Sequence, residues 1–100
     1  MKKVKITVKK IASYEDLIAE YENPIEHACF MKLEDIFISE DALIPKGFCE
    51  SAWMNLYPFV FALSNGAYDL YDGWMKNKKS AMISCNDGFR PVSFLLEFID

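Results

Sequence analysis

The sequence predicts an α+β domain, a small and mostly antiparallel sheet in the order β-α-β-α-β-β with two helices packed on one face and a C-terminal β-hairpin. Three observations predict it. Residues 3–9 alternate between apolar and polar side chains, as a half-buried strand does. Residues 48–64 form a long apolar segment with helical spacing. Asp87-Gly88 separates two apolar runs near the C-terminus, which is typical of a hairpin.

The first strand and the first helix follow from local patterns. Val4, Ile6 and Val8 are separated by polar side chains, so we expect these three to face the core. Ser13 and Asp16 form an S-x-x-D pattern, which indicates that a helix starts at Ser13. The apolar residues of this helix share one face: Tyr14, Leu17, Ile18 and Tyr21. A short amphipathic helix is therefore expected after the first strand.

The middle of the chain holds a second strand, a long helix and an aromatic loop. Residues 35–39 are predicted as the strand. The helix at 48–64 has no polar face, so we expect it to be buried on most sides or shared with a second subunit. Pro58 lies inside it and is expected to kink or divide it. Residues 67–79 combine aromatic, acidic and lysine side chains and predict an ordered loop.

The C-terminal hairpin gives a geometric expectation about one cysteine. Its strands are predicted at 81–85 and 90–99. If Asp87 and Gly88 form a two-residue loop, Cys85 lies opposite Arg90 and a thiol lies beside a guanidinium. The competing register has a type I turn with Gly88 as a bulge, and it would move Arg90 away from Cys85. Alternation along both strands favours the first register.

Composition restricts the class of function. One hundred residues form a single domain spanning 1–100. The formal net charge of −4 argues against a nucleic-acid partner. No apolar stretch resembles a signal peptide or a membrane span, so we expect a cytoplasmic protein without a membrane partner. The three cysteines have no C-x-x-C spacing, so reduced thiols are expected.

The candidate binding residues come from the helix start and the hairpin. Two thiols, one guanidinium, one carboxylate and one indole are singled out: Cys49, Trp53, Cys85, Asp87 and Arg90. Arg90 favours a thiolate at Cys85, and the positive end of the long helix favours one at Cys49. Trp53 and other aromatic side chains would line an apolar pocket with Arg90 at its rim, which suits a small anionic ligand. No cofactor is predicted.

Other interpretations of these residues remain open. Free cysteine is often buried and inert, and the helix aromatics are equally expected to fill the core. A zinc site would gather Cys29, Cys49 and Cys85 with His27, but only His27 and Cys29 are close in sequence. The chain has one histidine, so few residues are available for a Ser-His-Asp or Cys-His catalytic triad.

Two stretches resemble a known family. They are Gly47-Phe48-Cys49-Glu50-Ser51-Ala52-Trp53 and Cys85-Asn86-Asp87-Gly88-Phe89-Arg90-Pro91-Val92. With the opening strand, they are similar to a family of small uncharacterised bacterial and archaeal proteins with GFC-x-x-AW and C-x-DG-x-RPV motifs. The resemblance implies no known reaction. In that family's pattern a cysteine-proline pair precedes the second strand, a turn glycine opens that strand, and two adjacent cysteines precede the DG turn. This chain has Cys29-Phe30, Glu34 and Ser84-Cys85 at these places.

These observations favour a non-enzymatic module that binds a small ligand or another protein. Hydrophobic residues make up 52% of the chain and aromatic residues 15%, which leaves apolar surface for a homodimer through the long helix and the aromatic loop. The alternative is a thiol-dependent redox or transfer enzyme that uses Cys49 or Cys85 with Arg90. A cysteine-rich metal site is the third hypothesis.

Overall fold

A computed structural model describes residues 2–26 and 29–99 of the chain. Its strands and helices are β1 (Lys3–Ile11), α1 (Glu15–Tyr21), β2 (Ile36–Glu40), α2 (Glu50–Ser64), β3 (Ser80–Ser84) and β4 (Val92–Phe98). The four strands form one antiparallel sheet in the order β2-β1-β4-β3. The predicted α+β fold class and element order are confirmed. None of the helices in these two ranges is long and apolar enough to cross a membrane.

The core lies between α2 and one face of the sheet. Val4, Ile6 and Val8 are fully buried, as their alternation with polar residues predicts. The other fully or almost fully buried apolar residues are Ala52, Leu56, Val60, Leu63, Ala81, Val92, Phe94 and Leu96. Phe94 is the largest of these side chains and packs against Phe48, with ring centroids 5.4 Å apart. Burial of this apolar surface is the main term that stabilises the fold.

Helix α2 starts later than predicted and runs through its proline. It begins at Glu50 rather than at residue 48, because Phe48 donates its N–H to Pro45 O in a turn at 3.1 Å. Pro58 does not divide the helix. A proline at this position leaves the carbonyl of Met54 without its helical partner. Met54 is exposed, so water can bond to that carbonyl.

Helix α2 also departs from the expectation that it is buried on most sides. Its buried residues lie on one side, and Met54, Tyr57 and Phe61 are exposed.

Helix α1 departs from the prediction at its N-terminus. The N-cap residue is Tyr14 rather than Ser13, and no side chain caps the helix. The Ser13 hydroxyl instead donates to the Glu15 carboxylate at 2.8 Å. None of the helix residues is buried, so α1 adds little to the core.

The hairpin register differs from the prediction by two residues. Ile83 lies opposite Phe94, and the N–H of Cys85 donates to Val92 O at 3.0 Å, so Cys85 is not opposite Arg90. A type I′ turn requires positive φ at both of its central residues. Neither Asp87 nor Gly88 has it, and residues 86–91 form a wider loop. The shift by two keeps every side chain on its predicted face.

Candidate functional site

One cavity collects most of the candidate residues, and we call it the thiol pocket. It has a volume of about 310 Å³ and lies between the start of α2 and the β3–β4 loop. Its walls are Cys29, Cys49, Ser51, Ala52, Cys85, Asn86, Asp87 and Arg90. The size is at the lower end of the range for small-molecule sites.

The start of α2 forms one wall of the thiol pocket. Gly47 has a φ of +78°, a left-handed conformation that favours glycine, and it turns the chain into the helix. Cys49 follows as the N-cap residue, without a side-chain capping bond. Ala52, one turn further on, is almost fully buried and forms the floor between helix and sheet. The turn and the helix start therefore fix the position of the Cys49 thiol.

The opposite wall is the β3–β4 loop, which its own hydrogen bonds hold in place. Asp87 Oδ1 accepts the backbone N–H groups of Phe89 at 2.8 Å and of Arg90 at 3.1 Å. The N–H of Val92 donates to Cys85 Sγ at 3.3 Å. Asp87 thus acts as a turn residue, and the Cys85 sulfur already accepts one backbone bond.

Arg90 has a partner that the sequence does not indicate. Its Nη2 lies 2.8 Å from Glu22 Oε1, and its Nη1 donates to Glu22 Oε2 at 3.1 Å. The two side chains are 24% and 14% exposed, so this two-pronged ion pair is partly shielded from water. The hydrogen bond to Glu22 raises the pKa of Arg90, burial lowers it in part, and the charges of Glu22, Asp87 and Glu15 raise it further.

The third cysteine reaches the pocket from the chain after α1. Cys29 is exposed and its Sγ accepts the N–H of Met31 at 3.4 Å. All three cysteines are free thiols. Among residues 2–26 and 29–99, no three cysteine, histidine or carboxylate side chains are close enough to hold a metal ion. His27, the proposed fourth ligand, lies outside the described residues.

The structure separates Trp53 from the other four candidates. Cys49, Cys85, Asp87 and Arg90 line the thiol pocket, whereas Trp53 does not. Its ring lies against Phe48 and Tyr57, with centroid distances of 6.1 and 5.8 Å. Trp53 therefore belongs to the aromatic packing beside the core.

Sequence reasoning overlooked three residues of this region and gave a fourth, Cys29, a different role. Ser51 and Asn86 occupy variable positions of the two quoted motifs, so the motifs do not specify their side chains. Their location between the fixed motif residues was the only indication of a role. The sequence indicates Cys29 only as a metal ligand. Glu22 is 68 residues from Arg90 in the sequence, and no local pattern predicts a contact across so large a sequence separation.

The comparisons with known proteins leave the family open. No protein-family model, curated protein or solved structure matches the chain significantly. The two motifs behind the family resemblance nevertheless meet in space, because Cys49 and Ala52 of one face Cys85, Asp87 and Arg90 of the other across the thiol pocket.

Proposed function

We propose that this protein is a small-ligand-binding module and that the thiol pocket is its binding site. One observation carries the proposal: three free thiols and a guanidinium from separate parts of the chain line one open cavity. A cavity with a few convergent polar groups is the usual form of a ligand site. A reducing compartment, such as the cytoplasm, would keep the thiols available.

An NMR screen of small neutral, cationic and anionic fragments tests this proposal. Backbone amide shifts on binding should cluster at Cys49, Cys85 and residues 86–90. Shifts that instead cluster at the open groove between Ile38 and Lys46, or an absence of any binder, would overturn it.

A thiol-dependent enzyme is the second candidate, because Cys49, Cys85 and Arg90 do share the pocket. The ion pair with Glu22 weakens this alternative, since it balances the positive charge that would favour a thiolate. Thiol-labelling rates measured against pH discriminate the two functions. Native-state labelling of Cys49 or Cys85 that is fast near neutral pH would favour the enzyme.

We also propose a homodimer through the solvent side of α2. Six side chains there and on the adjoining loop are between 41% and 73% exposed: Met54, Tyr57, Phe61, Tyr68, Tyr71 and Trp74. Tyr71 packs on Phe59, which lies about 200° around α2 from Tyr57, so the helix aromatics and the loop border opposite flanks. On the helix flank alone, Met54, Tyr57 and Phe61 expose about 330 Å² at roughly 200 Å² per side chain. A stable dimer, in which each partner buries ~800 Å², would therefore also bury side chains that border this flank.

Light scattering after size exclusion tests the dimer. We expect a dimer that Phe61→Lys converts to a monomer, whereas Tyr21→Lys, at a more exposed aromatic position on α1, leaves it intact. A monomer at high micromolar concentration would remove this proposal.

A further inference from the structure

Most polar side chains of the thiol pocket are already bonded within the protein. Ser51 and Asn86, which both line the pocket, bond to each other, and Asp87 Oδ1 accepts two backbone N–H groups. Arg90 is held by Glu22. The sulfurs are weak acceptors, and those of Cys29 and Cys85 each accept one backbone N–H, at 3.4 and 3.3 Å. The thiols are therefore the pocket groups that we expect a ligand to contact.

The charges around Arg90 do not favour an anion. Three carboxylates act on the guanidinium, namely Glu22 in direct contact and Asp87 and Glu15 by their charge. The positive charge of Arg90 at the pocket thus interacts with three negative charges, of which only that of Asp87 lines the pocket. An anionic ligand would have to replace Glu22 on Arg90 and would meet repulsion from Asp87.

We propose that Glu22, which does not line the thiol pocket, determines its charge preference, so that the pocket takes neutral or cationic thiol-reactive ligands and disfavours anionic ones. This inference rests on the proposed ligand-binding function. It assigns Arg90 the role of a paired structural cation rather than an anion receptor, and it makes Glu22 a specificity-determining residue that acts through Arg90.

Labelling with three methanethiosulfonate reagents tests the proposal. They share one reactive group and carry an ethylammonium, a neutral methyl or an ethylsulfonate substituent. A cysteine thiolate attacks the sulfenyl sulfur, a disulfide bond forms, and the S–SO₂ bond breaks with methanesulfinate leaving with the electron pair. The cysteine is oxidised, the thiosulfonate is reduced, and the thiol proton passes to water. Mass spectrometry of peptides then gives a rate for each cysteine.

In the wild-type protein, Cys49 and Cys85 should react faster with the cationic than with the anionic reagent, relative to the rates of free cysteine. Glu22→Gln releases the Arg90 charge, and the ratio of cationic to anionic rate should fall about fivefold or more. Glu20→Gln removes one negative charge two residues before Glu22, at an exposed position of α1, and should change the ratio by less than about twofold. Far-UV circular dichroism confirms that each variant is folded.

The outcomes separate this inference from the proposed function. Labelling of Cys49 and Cys85 with no charge preference, or with a preference that Glu22→Gln leaves unchanged, overturns the role of Glu22 and leaves ligand binding standing. An absence of native-state labelling at both cysteines overturns both. If Glu22→Gln does not fold, the wild-type salt dependence decides: the cationic rate must fall and the anionic rate must rise with ionic strength.

Discussion

Ser51 and Asn86 hydrogen-bond to each other twice across 35 residues of sequence. The Ser51 hydroxyl donates to Asn86 Oδ1 at 3.2 Å, and Asn86 Nδ2 donates to the Ser51 carbonyl at 3.4 Å. This pair joins the first turn of α2 to the β3–β4 loop, so it holds the two walls of the thiol pocket together.

Replacing Ser51 by alanine should loosen the loop without unfolding the domain. An exposed hydrogen bond of this kind contributes about 0.5–1.5 kcal/mol to the free energy of unfolding. Amide hydrogen exchange in residues 86–91 should therefore accelerate while global stability changes little. Asn55→Ala is the matched control, because it removes the bond from Asn55 to Ser84 O and leaves the loop alone. Equal exchange in the loops of both variants would contradict the role of Ser51.

Phe94→Ala should be the more damaging of two matched truncations. Phe94 is fully buried against Phe48, and removing a buried phenylalanine side chain costs about 3–5 kcal/mol of unfolding free energy. Phe30→Ala makes the same chemical change at an exposed position outside the proposed dimer surface and should cost no more than about 1 kcal/mol. Urea unfolding measures both values. Similar losses in the two variants would show that the core is not where the structure places it.

Asp87 should stabilise the β3–β4 loop through its carboxylate rather than through any contact with ligand. Asp87→Ala removes the acceptor for the N–H groups of Phe89 and Arg90, and we expect a loss of about 2 kcal/mol, since bonds to a charged group are stronger than neutral ones. Asp87→Asn keeps an amide oxygen at the same place and should lose less than half as much. Urea unfolding of both variants decides, and a loss below about 0.5 kcal/mol in Asp87→Ala would refute this role.

Glu34 lies in a left-handed conformation, with a φ of +67°. Glycine adopts this conformation without the penalty of about 1 kcal/mol that other residues incur. Both Glu34→Gly and Glu34→Ala remove the ion pair with Lys9, so the difference between the two variants reports the backbone alone. We expect Glu34→Gly to unfold at a higher temperature than Glu34→Ala. The reverse order would exclude backbone strain at this turn.

Arg90 should keep its charge and its bond to Glu22 throughout the alkaline range. Its pKa in the folded protein is raised, chiefly by the Glu22 hydrogen bond. A raised pKa contributes stability that is complete below the unfolded value and is lost only as the pH rises through the folded value, beyond the ordinary arginine range. The Arg90 Nη–H resonances, whose nitrogens contact Glu22, should therefore remain protected from pH 7 to about 10, and Glu22→Gln should abolish this protection. Loss of the wild-type signal on mild alkalinisation would contradict the ion pair.

The fold was predictable where side-chain patterns are local. Val4, Ile6 and Val8 alternate, and they are buried because one face of β1 meets α2. The predicted strand limits agree within two residues with the observed ones. The hairpin register was not predictable from Asp87-Gly88 alone, because the Asp87 carboxylate binds the backbone of Phe89 and Arg90 and widens the loop. Turn propensities describe turns that are closed by backbone hydrogen bonds. They do not predict a loop in which a side-chain oxygen replaces the backbone acceptor.

The candidate site was predictable in part for the same reason. Cys49 and Cys85 lie at the ends of regular elements, whose positions the pattern of the chain gives, and the structure places both on one cavity. The partner of Arg90 is Glu22, which directly follows α1. Neither periodicity nor a motif predicts the course of the chain there. The sequence therefore pointed to the cation of the pocket and missed the anion that balances it.

The thiol pocket has walls from three distant stretches of chain, around Cys29, at 49–52 and at 85–90. No fragment or half-folded intermediate contains the complete cavity. Any true ligand must consequently bind the native state and not the denatured one, and at a hundred times its dissociation constant it would add about 2.7 kcal/mol to the unfolding free energy. The melting temperature of the domain thus reports how much of the pocket is occupied. Thermal melting of the protein in the presence of cell-extract fractions would identify the fraction that contains the natural ligand, without any assay of activity.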